Sequence, residues 1–494
     1  MTITLDKPGY TKIKARQQSI RSPGVFHFRY RSAADWLDVF KRSYEPRRRA
    51  FAWADEPQRG ALPTDTYLSS WDPSSKWQHA LSLVLAHRRS ASITVDQLLA
   101  GDPKSVFGHC LCAALIVRAD DTSGQEKLNA SIAFIMGACP DPDDRAHRHA
   151  VAARAWLTGN SGRAAELYGA IVIDFPRDIL ALMTAHALDF RLGRRLLLRD
   201  RIAQVLPEWE PDMLGYSSVL AMYAFGLEEN GEYGPAERIA RQALAVDPGH
   251  PGAIHVIAHV MEMQGRVSEG LALLAETEPA WSNDTGFSIH LAWHQALLYL
   301  EDDDPGSALT VYDTQMANGT VSDTPALADA SALLWRLGLR NMPLGNRWEI
   351  LANRWQMQPL TAMRPFYLVH AMMAFAAARC TAAKTVVLKL LPATHESDAS
   401  EEALAFMVCN ALLACSDSNY EACLEWLARL RPIAHRCGGS LAQCDVLHLT
   451  YTEAAFRGQR TPLARALVAE RLAKKPASRL NRMLLQRLTI NMPG

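Results

Sequence analysis

From about Ser75 onward, apolar residues recur at intervals of three and four, and breakers interrupt them every 12 to 20 residues. This is the period of amphipathic α-helices. Nothing alternates with period two for long, so strands are expected to be nearly absent. The pattern predicts an all-α chain of antiparallel helix pairs, stacked as an α-solenoid that closes on itself.

An internal repeat accounts for the spacing. Its clearest unit is "YSSVLAMYAFGLEENGEYGPAERIARQALAVDPGHP". Ala224 is small where two helices would meet, Gly231 and Tyr233 mark the turn, Ala236, Ala240 and Ala243 line the second helix, and Pro248 closes it. That layout is similar to a tetratricopeptide helix-turn-helix. The turn glycine recurs at Gly265, and upstream the same landmarks are Gly159, Ala164 and Pro176, then Gly193. From Gly159 the steps are 34, 38 and 34 residues, with a further 38 to Asp303, so four to five helix pairs are expected between about 145 and 320. The expected organisation is a basic, turn-rich N-terminal arm over 1–60, a helical capping region over 61–144, regular repeats over 145–320, and degenerate helical repeats over 321–494 that complete the solenoid. The arm, which includes one amphipathic piece over 33–44, reads as packed on the body or at a subunit contact, with a patch for phosphate or an acidic partner as the alternative.

Four histidines fall in two pairs at helical spacing inside this array, His255 with His259 and His290 with His294, and Glu262 lies one turn beyond the first pair. Residues four apart stand one turn above each other, so each pair projects two imidazoles from one face. In the helix over 251–265, Ile254, Ile257, Ala258 and Met261 form the packing stripe. His255, His259 and Glu262 form a parallel stripe about 100° away.

Composition removes several classes of function. Lysine plus arginine number 52 and aspartate plus glutamate 52, which leaves no global field for nucleic acid or an anionic membrane surface. No apolar run approaches the roughly 18 residues of a membrane span. Nine cysteines with no C-x-x-C pair and no secretory h-region read as reduced, packed thiols of a cytoplasmic protein. There is no phosphate-binding G-x-x-x-x-G-K-[ST], no G-x-G-x-x-G after a strand and no G-x-S-x-G elbow, so no nucleotide cofactor is expected.

The segments "LLLRDRIAQVLPEWEPDMLGYSSVLAMYAFGLEENGEY", "HVIAHVMEMQGRVSEGLALL", "HLAWHQALLYLE", "DASALLWRLGL", "NRWEILANRW", "VHAMMAF" and "GGSLAQCDVLHLT", in that order, resemble the tetratricopeptide repeat protein 38 family over roughly residues 75–490. The resemblance implies a tetratricopeptide-like fold and little about chemistry. It also implies that the residues beside the packing stripe of each first helix face the concave groove, which turns the histidine stripe inward. Members tend to carry histidine and arginine in the segment written here as "GGSLAQCD", where this chain has Leu441 and Cys444. If that segment contributes to a site, the ligand differs from that of the relatives.

Three readings of the histidines stand together. They can satisfy one another and the backbone inside a closed superhelix. They can perform acid–base chemistry, with His259 oriented by Glu262 as a base and His290 or His294 as a donor. Or His255, His259 and His290 can hold a divalent metal, since H-x-x-x-H presents two imidazoles at chelating distance. Further candidates for a substrate surface are Trp293, His186 with Asp189 at i, i+3, His370 and Asp445, each of which also reads as ordinary packing. "DPDDRAHRHA" at 141–150 reads as a solvated helix start. The expected function is thus a small-molecule enzyme with an inward His/Glu-rich pocket, using acid–base or metal-assisted chemistry on a polar substrate, with a homo-oligomer left open. The alternative is a scaffold that binds a peptide or partner protein in an open groove.

Overall fold

The computed structural model describes residues 75–490 apart from 121, 284, 318–323 and 392–399, all within one compact unit, Glu56–Gly494. The expected N-terminal arm, with its amphipathic piece over 33–44, lies outside the described residues.

Twenty-three α-helices, numbered in chain order, make up the described residues. Eleven first helices carry odd numbers: α1 (Ser75–Leu85), α3 (Val106–Ala119), α5 (Arg145–Leu157), α7 (Ile179–Arg191), α9 (Tyr216–Glu229), α11 (Pro251–Gln264), α13 (Ser288–Glu301), α15 (Thr324–Leu339), α17 (Pro365–Ala377), α19 (Glu401–Ser416) and α21 (Leu441–Arg457). Each returns through a second helix: α2 (Ser90–Gly101), α4 (Gln125–Ala138), α6 (Ser161–Asp174), α8 (Arg195–Val205), α10 (Tyr233–Val246), α12 (Val267–Trp281), α14 (Pro305–Val311), α16 (Arg347–Gln356), α18 (Thr381–Leu390), α20 (Tyr420–Leu430) and α22 (Thr461–Lys474). A final helix, α23 (Arg479–Ile490), ends the array. The fold is all-α, with neighbouring helices packed in sequence. Among the described residues the one β-type pairing is an isolated bridge, Arg88 to Thr285.

The turn inside each pair repeats in detail. A residue in the left-handed region stands within two positions of the end of every first helix: His87, Asp120, Gly159, Gly193, Gly231, Gly265, Asp303, Asn341, Arg379, Ser418 and Gln459. Where the next residue is described, its amide donates back to a carbonyl five residues earlier, as Asn160 does to Ala155, Arg266 to Met261 and Arg460 to Ala455. These are Schellman turns, which satisfy the helix's last carbonyls. Glycine adopts that conformation without strain, whereas the non-glycine residues in it cost about 1 kcal/mol or more each. The turn therefore persists downstream of Gly265 although its sequence marker is lost.

Small residues set the helix contacts. Ala164, Ala224, Ala236, Ala240 and Ala243 are all fully buried. At Gly226, a Cβ would stand 2.5 Å from the Leu198 carbonyl oxygen and the Arg199 nitrogen, so α9 crosses α8 backbone to backbone. Larger side chains fill the layers between pairs, with Trp293 and Trp355 wholly buried and the Trp355 Nε1 donating to Ser331 at 2.9 Å.

The later repeats close over the middle ones. The Leu441 amide at the start of α21 donates to Glu229 at the end of α9, 3.0 Å away. Trp335 Nε1 of α15 donates to Thr450 of α21 at 3.0 Å. Lys475, just after α22, reaches Glu262 of α11 at 2.8 Å and Glu301 of α13 at 3.1 Å. Helix α11 is consequently covered on all sides, from Ala253 through Met263. At the other end of the chain, the turn after α1 meets the segment before α13, where the Gly286 amide donates to His87 at 2.9 Å.

The segment over 141–150 does start a helix, with Asp144 capping the Ala146 amide at 2.7 Å. It is not uniformly solvated as expected. His149 is buried and lies 2.8 Å from Asp178, because α7 packs over that face. No described helix is long and apolar enough to cross a membrane.

Candidate functional site: a four-histidine cluster

Helix α11 is held in register at both ends. His250 caps it by accepting from the Ala253 amide, Pro251 takes the first turn, and Gly265 ends it in the left-handed region. Pro suits that position because its missing N–H has no partner in a helix's first turn. The i, i+4 spacing then stacks His255 and His259, with 4.4 Å between ring centroids. Helix α13 brings His290 and His294 alongside, the rings of His259 and His294 being 4.3 Å apart and those of His255 and His290 4.9 Å apart. One nitrogen from each of the four rings falls within 4.8 Å of all the others.

Two distances decide how to read this cluster. His255 Nε2 stands 3.0 Å from His259 Nε2 and also 3.0 Å from His290 Nε2. A neutral imidazole nitrogen carries either one proton or one lone pair, so it makes one good hydrogen bond and not two. Two imidazole nitrogens bound to the same ion at 2.0–2.1 Å lie about 3.0–3.4 Å apart. The spacing is that of a ligand set. His294 adds to this, since both its ring nitrogens are buried without a hydrogen-bond partner.

An outer layer of carboxylates stands behind the rings. Asp329 of α15 is 2.8 Å from His290 Nδ1, Glu228 of α9 is 3.3 Å from His259 Nδ1, and Glu262 is 3.5 Å from His294 Nδ1. On His290, the hydrogen bond from Nδ1 to Asp329 fixes the tautomer that leaves Nε2 facing inward, as metal-binding histidines commonly require; Glu228 and Glu262 stand beside His259 and His294 without closing one. The sequence reading paired Glu262 with His259. In the fold Glu262 instead faces His294 on the next first helix and is tied down by Lys475. A second group of ligand type, Glu228, Glu229 and His259, shares His259 with the first.

Burial separates the protonation states. His255 lies well below the usual histidine range, because it is desolvated and faces three other imidazoles. Burial and its neighbours His259 and His290 do the same to His294. Burial also disfavours the charged form of His259, but Glu228, Glu229 and Glu262 outweigh it and hold this histidine above its ordinary value. Glu229 is pushed up to about 8 by burial and by Glu228. The deep end of the cluster thus sets the neutral rings of His255 and His294 beside buried carboxylates, a setting that favours a cation.

His255 and His290 open onto a cavity of about 900 Å³. Phe190, Phe225, Phe287, Phe366 and Tyr367 form much of its wall, and Arg89, Arg118, Arg191 and Arg364 reach it. His186 also lines it, its Nε2 3.2 Å from the Met222 carbonyl oxygen. Trp293 lies behind His290, stacked at 5.4 Å with 16° between planes, and the Arg336 guanidinium covers it. The remaining sequence candidates lie away from the cavity wall. Asp189 is buried and paired with Arg201, Asp445 is paired with Arg471 at 2.6 Å, and His370 Nδ1 lies 2.8 Å from the Phe366 carbonyl oxygen.

The sequence reading did not single out Glu228, Asp329, Lys475 or Arg118. One of them carried a usable signal. Glu228 stands three residues before Gly231, and Glu262 stands three before Gly265, so the repeat of 34 residues places both at one position. "LEENG" instead has the look of a solvated turn, although Glu228 and Glu229 are both buried. The chain matches no protein-family model.

Proposed function

We propose that His255, His259, His290 and His294 together hold one divalent first-row transition ion, and that the cavity in front of them admits a small molecule for metal-assisted chemistry. The observation that carries this is the pair of 3.0 Å contacts made by the single nitrogen His255 Nε2, backed by carboxylates behind three of the rings. An all-imidazole set suits zinc, iron, copper or nickel. Such an ion supplies Lewis acidity at the cavity floor. The protein's own part is to keep His255 and His294 deprotonated by burial, to set Glu228, Glu262 and Asp329 behind the other faces of the rings, and to exclude water with Phe225 and Phe287, whose rings lie 5.6 and 5.2 Å from His255.

A second reading has its own observation. His290 lines the cavity with Asp329 at 2.8 Å on its far nitrogen, which is the arrangement of an oriented general base without any metal. A small-molecule ligand is supported over a peptide by the way α21 and Lys475 cover the inner ends of α9, α11 and α13. Kinship with the tetratricopeptide repeat protein 38 family is part of the same proposal, supported by the order of the resembling segments along the helices.

The test is elemental analysis by plasma mass spectrometry of wild type beside a His259→Ala, His294→Ala double variant. About one equivalent of a transition metal in wild type and none in the variant is expected. Wild type that stays metal-free after incubation with zinc, iron(II), copper and nickel refutes the metal centre and leaves the His290–Asp329 base.

A further inference from the structure

The cavity carries one positive charge that nothing among the described residues answers. Of the four arginines that reach it, Arg191 donates to the Val117 and Arg118 carbonyl oxygens at the end of α3, and Arg364 pairs with Asp120 and Glu401. Arg89 donates to the Thr285 carbonyl oxygen at 3.0 Å. Arg118, half-buried in the last turn of α3, makes no side-chain hydrogen bond or ion pair among the described residues. The three acids on the wall are already engaged, Asp120 and Glu401 by Arg364 and Asp329 by His290. Among the described residues of the wall, no carboxylate is left for Arg118.

The charge is also isolated from its polar neighbours. His87 and His186 stand near Arg118, and burial together with that guanidinium lowers both, His186 to about 4, so both are neutral around pH 7. Burial and the like charge of Arg191 lower Arg118 itself to about 10, and no acid offsets them. A desolvated cation without a counter-charge is costly, and a guanidinium that is still protonated near neutrality is a fork for two oxygens.

Aromatic rings lead from the Arg118 end of the cavity toward the histidines. His87 lies edge-on to Phe287 at 4.8 Å, and Phe287 is 5.2 Å from His255. A ligand with its anionic head at Arg118 therefore lays its body against Phe287 and Phe225 and presents its far end to His255 and His290. We infer that the substrate class is an organic monocarboxylate with an aromatic or branched apolar body, its carboxylate held by Arg118 and its other end delivered to the histidine cluster. One unanswered guanidinium matches one negative charge, which sets a carboxylate ahead of a phosphate dianion. This rests on the reading of the cavity as a small-molecule site, and it does not require the metal to be present.

The test is calorimetric titration of the full chain with benzoate, phenylacetate and 3-phenylpropionate, each beside its neutral amide, and with inorganic phosphate. Wild type and Arg118→Gln are compared, both metal-loaded and after chelation. Binding of at least one carboxylate and not its amide is expected, weakened roughly tenfold or more by Arg118→Gln, as loss of a charge-assisted pair implies. Metal content and ligand-free Tm should be unchanged in the variant, or Tm slightly raised, because no internal partner is lost. Arg118→Lys should restore part of the affinity. Equal binding by wild type and Arg118→Gln, equal binding of amide and acid, tighter binding of phosphate, or no binding of any carboxylate at millimolar concentration each overturns the inference. Carboxylate binding that depends on Arg118 in chelated protein supports it even if the metal centre fails. Metal binding without carboxylate binding overturns it and leaves the metal centre intact.

Discussion

Glu228 and Glu262 occupy the same position of successive repeats, three residues before a turn glycine, and each turns its carboxylate to a histidine of the following first helix. Glu228 faces His259 at 3.3 Å, and Glu262 faces His294 at 3.5 Å. The orienting layer of the site is therefore a property of the stacking. A repeat supplies imidazoles from its first helix, and its neighbour supplies the carboxylates that stand beside them.

Removing that layer should weaken the metal and leave the fold in place. Glu228→Gln and Asp329→Asn keep shape but lose the acceptor strength on Nδ1, and losses of about 10- to 100-fold in metal affinity are expected. Competition with a chromophoric chelator measures this. Unchanged affinity in both variants counts against the assignment of these carboxylates.

Metal should also stabilise the native chain. Free ion at about 100 times its dissociation constant is worth about 2.7 kcal/mol if it binds only the folded state. Scanning calorimetry should show Tm rising with added zinc and falling with chelator in wild type, and neither response in His294→Gln. A wild-type Tm indifferent to both treatments refutes the expectation.

Lys475 is the counter-charge of two buried acids, Glu262 and Glu301, and they in turn hold its ammonium well above its ordinary value against burial. Lys475→Met leaves both carboxylates buried without a cation, for a loss of about 3–5 kcal/mol. Urea unfolding monitors it. The triple variant with Glu262→Gln and Glu301→Gln should recover part of that loss, and a single variant as stable as wild type removes Lys475 from the list of closing contacts.

Acid should uncouple a different pair. Asp178 caps the Ala181 amide and faces His149 and Arg145; burial pushes its carboxyl up, but His149 and Arg145 outweigh burial and hold it well below the usual range. A carboxyl lowered by folding adds stability that is fully present above its unfolded value, near 3.9, and is lost as pH falls through that value toward the folded one. Asp178→Asn keeps the cap and loses the charge, costing about 3 kcal/mol at pH 6. The gap between wild type and variant should close as pH is lowered toward 3, and a gap constant with pH contradicts the proposed pairing.

Much of the architecture is legible in the amino-acid sequence. Helical periodicity, the alanine contacts and the turn glycines at 159, 193, 231 and 265 report local backbone preferences, which residues express whatever surrounds them. Beyond Gly265 the same turn is made by Asp303, which the repeat spacing already marks, by Asn341, and by Arg379, Ser418 and Gln459, whose types do not announce a left-handed conformation. The two histidine pairs were legible for the same local reason, because a spacing of four on a helix is a spacing in space.

Partnership across repeats was not legible in that way. Whether Glu262 serves His259 on its own helix or His294 on the next depends on the angle at which α11 and α13 pack, and side-chain volumes along both helices set that angle together. Lys475 meets Glu262 across 213 residues of chain, and the Leu441 amide meets Glu229 across 212. No local pattern encodes a contact of that length. Periodicity and spacing determined the helices, their turns and the four imidazoles on one side of the array. Closure of the superhelix decided which carboxylate stands beside which ring, which acids are neutralised, and that Arg118 faces the cavity without a partner among the described residues, because burial and charge pairing are settled only when distant repeats come together.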